Sequence, residues 1–189
     1  MASHLALLHS VTIGDGRRLI MADWRAMLDS LGLKRLETLV STGNALFESE
    51  PATIGELERR LETAFERSFG RHVDTIVKTA VHWRRLAASN PFPGEAQRDG
   101  THVAVRIMRK PLGAAAIEAL THYATQGERL ALAEGHLWIH FEQDPVRSRL
   151  VSQLTTRRLG VGTVRSWNTV RRLDEMIAAR RHHNHAADA

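Results

Sequence analysis

The chain has 189 residues, 43% hydrophobic and 25% charged, the make-up of an ordinary folded domain rather than a disordered chain. It contains no cysteine, which excludes disulfides, iron–sulfur clusters, thiolate zinc sites and cysteine nucleophiles together. The formal net charge is +5 and sits at the C-terminal end, where nine arginines from Pro145 onward stand against Asp174, Glu175 and Asp188.

No apolar run approaches the roughly 20 residues that span a bilayer. The opening Met1-Ala2-Ser3-His4 lacks the basic start and apolar stretch of a signal peptide. The expected location is therefore cytoplasmic, with no membrane partner.

In chain order, Leu5 to Ile13 is short and apolar, which predicts a buried strand. Ile20, Trp24, Met27, Leu28 and Leu31 recur at helical spacing, with Gly32 as a C-terminal cap. Leu36 to Ser41 and Ala45 to Phe47 flank Thr42-Gly43-Asn44, a hairpin signal because Gly and Asn tolerate positive φ. Thr53 and Glu56 form a capping box for a helix faced by Leu57, Leu61 and Phe65 and ended by Gly70. Val73 to Val77 is a further strand. The order to this point is β-α-β-β-α-β, the split βαβ or ferredoxin-like unit.

His82 to Ala88 predicts a short helix, and Asn90-Pro91-Phe92-Pro93-Gly94 opens a loop through Gly100. In that loop the Asn90 side chain fixes the turn and Phe92 anchors it. The second unit then begins with a strand over Thr101 to Met108 and a helix opened by Pro111. A hairpin follows across Glu134-Gly135, then one helix from Asp144-Pro145 to Gly160, a short strand near Val161 to Val164, and a last helix capped by Asn168. The second half repeats most of the element order of the first, with no residue-level repeat. The expected architecture is α+β, two ferredoxin-like (split βαβ) halves in tandem. They are placed at residues 1–79 and 101–180, joined by a helix and loop connector over 80–100 and followed by a disordered tail over 181–189.

Ala6-Leu7-Leu8, the helix opening at Met21, Gly43-Asn44-Ala45-Leu46-Phe47, Asn90-Pro91-Phe92 and Arg165-Ser166-Trp167-Asn168-Thr169-Val170 occur in an order and spacing that resemble the bacterial family catalogued as domain of unknown function 1697. The resemblance runs from about Leu5 to about Ala179. It implies two tandem ferredoxin-like halves and no particular activity. The sequence departs from the family pattern after Leu8. There the usual Arg-Gly-Ile-Asn-Val-Gly-Gly is His9-Ser10-Val11-Thr12-Ile13-Gly14-Asp15, so a ligand held by the family's arginine and asparagine must be held differently by His9 and Thr12, or not at all.

Several chemistries lack their residues. His140-Phe141-Glu142 has the His-x-Glu of a zinc deaminase without its Cys-x-x-Cys partner. There is no His-Glu-x-x-His helix and no Gly-x-Ser-x-Gly elbow. Gly160-Val161-Gly162 is a fragment of a phosphate loop with no Walker lysine. His182, His183 and His185 look like a metal tract but have no fixed geometry, so no metal site and no cofactor is named.

What remains is a set of polar positions. Asn168 and Thr169 at a helix start offer backbone N–H groups to an anion, with Arg165 just upstream. The alternative there is an N-cap with Trp167 packed in the core. Thr42 and Asn44 place a hydroxyl and an amide at a hairpin, where turn chemistry alone also accounts for them. His9 titrates near neutral pH at the end of a strand, where a satisfied core or edge histidine is the commoner case. The first expectation is a small anionic or phosphorylated ligand held between the two halves by Arg165, Asn168, Thr169, Thr42, Asn44 and His9. The alternative, kept on charge alone, is a nucleic-acid-associated protein using the C-terminal arginines; Trp138 is the one candidate stacking platform, and the basic-aromatic interleaving of an RNA reader is absent. An enzyme on the same pocket ranks third, since no catalytic residue can be named. The oligomeric state is open.

Overall fold

A computed structural model of the chain describes residues 1–39, 42–125 and 127–187, with backbone alone over 181–187. The chain divides into two compact units: Met1–Trp83 with Met176–Ala189, and Arg84–Glu175. The later part of the connector therefore travels with the second unit, and the end of the last helix with the first.

In the first unit, β1 (Ala2–Leu8), α1 (Met21–Ser30), β2 (Lys34–Leu39), β3 (Asn44–Ser49), α2 (Ile54–Phe69) and β4 (Thr75–Thr79) give the sheet order β2-β3-β1-β4, antiparallel throughout. Period-2 alternation sends Ala6 and Leu8 of β1, Ala45 and Phe47 of β3, and Val77 of β4 to one face. They meet Trp24 and Leu28 of α1 and Leu57, Leu61 and Phe65 of α2 in one core cluster. Truncating a side chain as buried as Phe65 to Ala costs about 3–5 kcal/mol. The capping box at Thr53 and Glu56 is present, and Gly70 ends α2 at φ 70. The residues on the other face, among them Leu5, Leu7, Leu46 and Ile76, are also fully buried.

The boundary at Arg84 falls within α3 (Ala80–Ala88), and the second unit continues with α4 (Pro93–Arg98), β5 (Val103–Met108), α5 (Ala115–Thr121), β6 (Arg129–Ala133) and β7 (His136–His140). A 3-10 turn at Pro145–Arg147, α6 (Arg149–Gln153), α7 (Thr156–Leu159), β8 (Gly162–Ser166) and α8 (Trp167–Ala187) follow. The sheet order is β6-β7-β5-β8, again antiparallel, so both sheets carry the order of the split βαβ unit. Ala104, Met108, Leu137 and Ile139 of the sheet pack with Leu120, Leu150, Leu154 and Leu159.

Four expectations are revised. The stretch after Phe92 is not all loop, because Pro93 at the first helical position opens α4. The single helix expected from Pro145 to Gly160 is broken into three pieces, each restarted by a capping side chain from Asp144, Ser148 or Thr155. The first strand ends at Leu8, and Thr12 instead forms an isolated bridge to Arg18. The last helix runs on through 181–187, where no Gly or Pro interrupts it. Residues 188–189 of the expected tail lie outside the described residues.

The end of α8 is tied to the first sheet by Arg180, which is buried. Its guanidinium donates to the Arg35 carbonyl and the Glu37 carboxylate, and reaches the Leu46 carbonyl at 3.5 Å.

Candidate functional site

The arrangement richest in unexplained polar groups lies in the second unit, at the start of α8. β8 passes into α8 without a loop, so Trp167 is the first helical residue and Asn168 the second. Asn168 is therefore not the cap. The position before the helix is held by Ser166, whose hydroxyl lies 3.3 Å from Thr169 Oγ1. The first N–H groups of a helix have no acceptor within it, and a helix of 21 residues carries the full terminal partial charge.

This terminus borders a cleft of about 630 Å³. Ala87, Ala88, Pro93, Ala96 and Gly100 make a small-residue wall, and Asn90, Gln97, Asn168 and Arg171 supply the polar groups. The local sequence builds each part. Asn90 Oδ1 accepts the Phe92 N–H at 2.9 Å, closing the turn that presents α4. Phe92 is buried as an anchor, with the Arg129 guanidinium 5.0 Å from its ring centroid. Arg129 also pairs with Glu95, whose carboxyl is held below its ordinary range by its own backbone and by Arg129. The Asn90 amide nitrogen is buried and has no hydrogen-bond partner. Trp167 borders the cleft and also tilts against Trp138, with ring centroids 6.0 Å apart.

The expected site residues fall in two groups. His9, Thr42 and Asn44 belong to the first unit and lie close together there: the Leu8 N–H donates to the Gly43 carbonyl at 2.9 Å, which sets His9 beside the turn. His9 and Thr42 are exposed. Asn44 is fully buried, and its amide donates to the Leu39 carbonyl at 3.0 Å and to Thr42 Oγ1 at 2.9 Å. Val40 and Ser41 of the hairpin lie outside the described residues. Arg165, Asn168 and Thr169 belong to the second unit. Asn168 reaches the cleft, whereas Arg165 does not line it. Arg165 is buried on β8, donating to Thr163 Oγ1 at 2.6 Å and to the Val164 carbonyl at 2.9 Å, and burial lowers its pKa to about 10. The arginine on the rim is Arg171, exposed and paired with Glu175 at 3.1 Å.

Other sequence motifs are structural. Trp138 is 0% exposed and cannot stack a base. Gly160 caps α7 at φ 81, and a Cβ on Gly162 would lie 2.9 Å from the Ile107 carbonyl oxygen, so both glycines are explained by the fold. Phe141 of the His-x-Glu triplet is core. The side chains of His182, His183 and His185 lie outside the described residues.

Sequence reasoning missed Gln97, Gly100 and Arg171. Gln97 sits on α4, where the turn-rich sequence predicts loop. Arg171 is four residues past Trp167, the spacing that puts two side chains on one helical face, and that signal was available.

Two four-stranded antiparallel sheets in tandem, each backed by helices on one face, define the class: a mixed α+β protein whose halves are consistent with ferredoxin-like units. The chain belongs to the family described as protein of unknown function (DUF1697), whose model matches residues 1–138. The Arg165–Val170 motif lies beyond the matched stretch. The chain is also similar in structure to the conserved bacterial protein SP0830 from Streptococcus pneumoniae, with a TM-score of 0.69 and 19% identity over 93% of this chain and 98% of that one. At that identity the likeness shows the fold alone. No curated protein matches the sequence. Among the described residues, no helix is long and apolar enough to cross a membrane.

Proposed function

We propose that the protein binds a small anionic, phosphate-bearing ligand in the cleft at the start of α8. The observation that carries the reading is one of convergence. The N-terminal turn of a 21-residue helix, Arg171, Asn168 and Asn90, whose buried amide nitrogen has no hydrogen-bond partner, all line one cleft. Each is a hydrogen-bond donor or carries positive charge, which is the donor set an anion requires. The small-residue wall leaves room for a compact ligand. The ligand set differs from the first expectation: Asn168 stays, Arg171 takes the place of Arg165, and Asn90 and Gln97 are added.

The test is a thermal-shift titration with inorganic phosphate, sulfate, nucleoside monophosphates and sugar phosphates. Binding to the folded state raises the melting temperature by mass action. A saturable rise with a phosphate ester, lost in Arg171→Ala and in Asn168→Asp, supports the reading. No rise with any member of the panel overturns it.

The nucleic-acid reading keeps one observation in its favour: Arg147, Arg149, Arg157, Arg158, Arg171 and Arg172 are exposed. Against it, Arg165 and Arg180 are buried and Trp138 offers no stacking face. Arg158 is engaged with Tyr123, its guanidinium 4.9 Å from the ring centroid. A shift produced only by an oligonucleotide, and abolished by salt, favours this second reading.

A further inference from the structure

We propose that Glu62, His72 and Asp74 form a site for a divalent transition metal, separate from the cleft at α8. Each offers one ligand atom, and these atoms lie within 4.8 Å of one another. His72 Nε2 is 3.7 Å from Asp74 Oδ1, and His72 Nδ1 is 4.0 Å from Glu66 Oε2.

The local sequence brings them together. Glu62 and Glu66 are one turn apart on α2, so they share a helical face. Gly70 then ends the helix in the left-handed region and turns the chain back toward β4. Val73 inserts into the core at 3% exposure, while His72 stays exposed and Asp74 half-buried beside the helix face. Glu62 is anchored at its carboxylate and Asp74 at its backbone. Glu62 Oε1 accepts the Thr75 N–H at 3.0 Å, and the Asp74 carbonyl accepts the His9 N–H at 2.9 Å. The exposed His72 is the adjustable member.

One imidazole and two carboxylates form a mixed nitrogen and oxygen set. It suits Zn²⁺, Mn²⁺, Fe²⁺ or Co²⁺, whereas Mg²⁺ and Ca²⁺ prefer oxygen alone and Cu⁺ prefers sulfur. Bonds of about 2.0–2.2 Å place tetrahedral ligand atoms ~3.4 Å apart, so binding draws the three side chains together by ~1 Å. With Nε2 on the metal, Nδ1–H faces Glu66, the outer carboxylate that orients a ligating histidine. Three protein ligands leave at least one coordination position open. The histidine and its two flanking carboxylates went unnoticed in the sequence because they are split between a helix and the segment after it.

The experiment uses the full-length chain without an affinity tag, carrying His182→Ala, His183→Ala and His185→Ala so that the C-terminal histidines cannot compete. After chelator treatment and dialysis, it is titrated with Zn²⁺ and with Co²⁺. Isothermal calorimetry, the melting temperature and the visible cobalt bands are followed. The expected result is one equivalent bound, with a melting temperature that rises to saturation. Binding should be lost in His72→Ala and weakened about tenfold in Glu66→Gln. Far-UV circular dichroism establishes that each variant is folded, and Asp74→Asn provides a second variant should His72→Ala fail to fold. No saturable binding of either metal, or undiminished binding in a folded His72→Ala or Asp74→Asn, overturns the proposal.

Discussion

Gly100 lies so close to Asn168 that a Cβ on it would fall 2.3 Å from Asn168 Oδ1 and 3.1 Å from Trp167 Cδ1. The atom in the way is the far end of an exposed side chain, so the chain tolerates the methyl group by moving Asn168. We expect Gly100→Ala to fold with a cost of roughly 1 kcal/mol or less and to disturb the donor set at the start of α8. Phosphate-ester binding, read by thermal shift, should weaken while the urea midpoint barely moves. Unchanged binding together with a large loss of stability would place Gly100 in the core rather than in the site.

Gly43 presents the opposite case. Its φ is 73, and a Cβ there would lie 2.7 Å from Leu8 Cδ1 and 2.8 Å from Leu8 Cβ, in a side chain only 1% exposed. Neither the backbone nor Leu8 has freedom to yield. Gly43→Ala should destabilise by roughly 2–4 kcal/mol, combining left-handed strain and overpacking. Urea unfolding measures it, and a loss under 0.5 kcal/mol would contradict the geometry.

Asn44 takes its role from burial. With no exposure at all, its amide closes the hairpin onto the Leu39 carbonyl and Thr42 Oγ1. Asn44→Ala leaves those acceptors without this donor and should cost about 1–3 kcal/mol. A ligand-binding role predicts a different outcome, in which stability holds and binding falls. Measuring both quantities on the same variant separates the two.

Arg106 sits on the central strand β5 at 2% exposure, donating to the Gly160 carbonyl at 3.0 Å, with its Nε buried and unpartnered. Burial lowers its pKa to about 10. A buried charge without a carboxylate opposes folding, so an apolar residue of similar length should be neutral or stabilising. We expect Arg106→Met to melt at or above the temperature of the parent protein. A drop of several degrees would show that the bond to Gly160 outweighs desolvation.

Two histidines give the acid side of the stability curve its sign. His4 and His140 both have pKa values lowered from 6.5, chiefly by desolvation. The unfolded chain then takes up protons at a higher pH than the folded one. Their contribution is complete above pH 6.5 and is lost as the pH falls through the range below it. Replacing His4 with Leu should flatten the slope of unfolding free energy below pH 6.5. An unaltered slope would mean that His4 titrates alike in both states.

Local signals made much of the architecture legible. The capping box at Thr53, the turn glycines and the short apolar run from Leu5 to Leu8 are signals within a few residues, so they can be read from the chain directly. The element order followed from them, and with it the tandem α+β arrangement. Where local evidence was thin, the reading failed: α4 is a six-residue helix hidden among turn formers, and three caps cut one expected helix into pieces.

The site was less legible because a side chain's role depends on which way it faces and on what lies beside it. Arg165 and Arg171 are equally basic in the sequence, yet strand alternation buries the first and the helix turns the second to the rim of the cleft. Trp138 reads as a platform and is core. Glu62, His72 and Asp74 converge only because Gly70 reverses the chain. Composition and short-range pattern determined the absence of thiol chemistry, the order of the elements and the turns that join them. Which polar groups share a cavity was decided by tertiary structure alone, because burial and proximity arise from contacts between residues far apart in the chain.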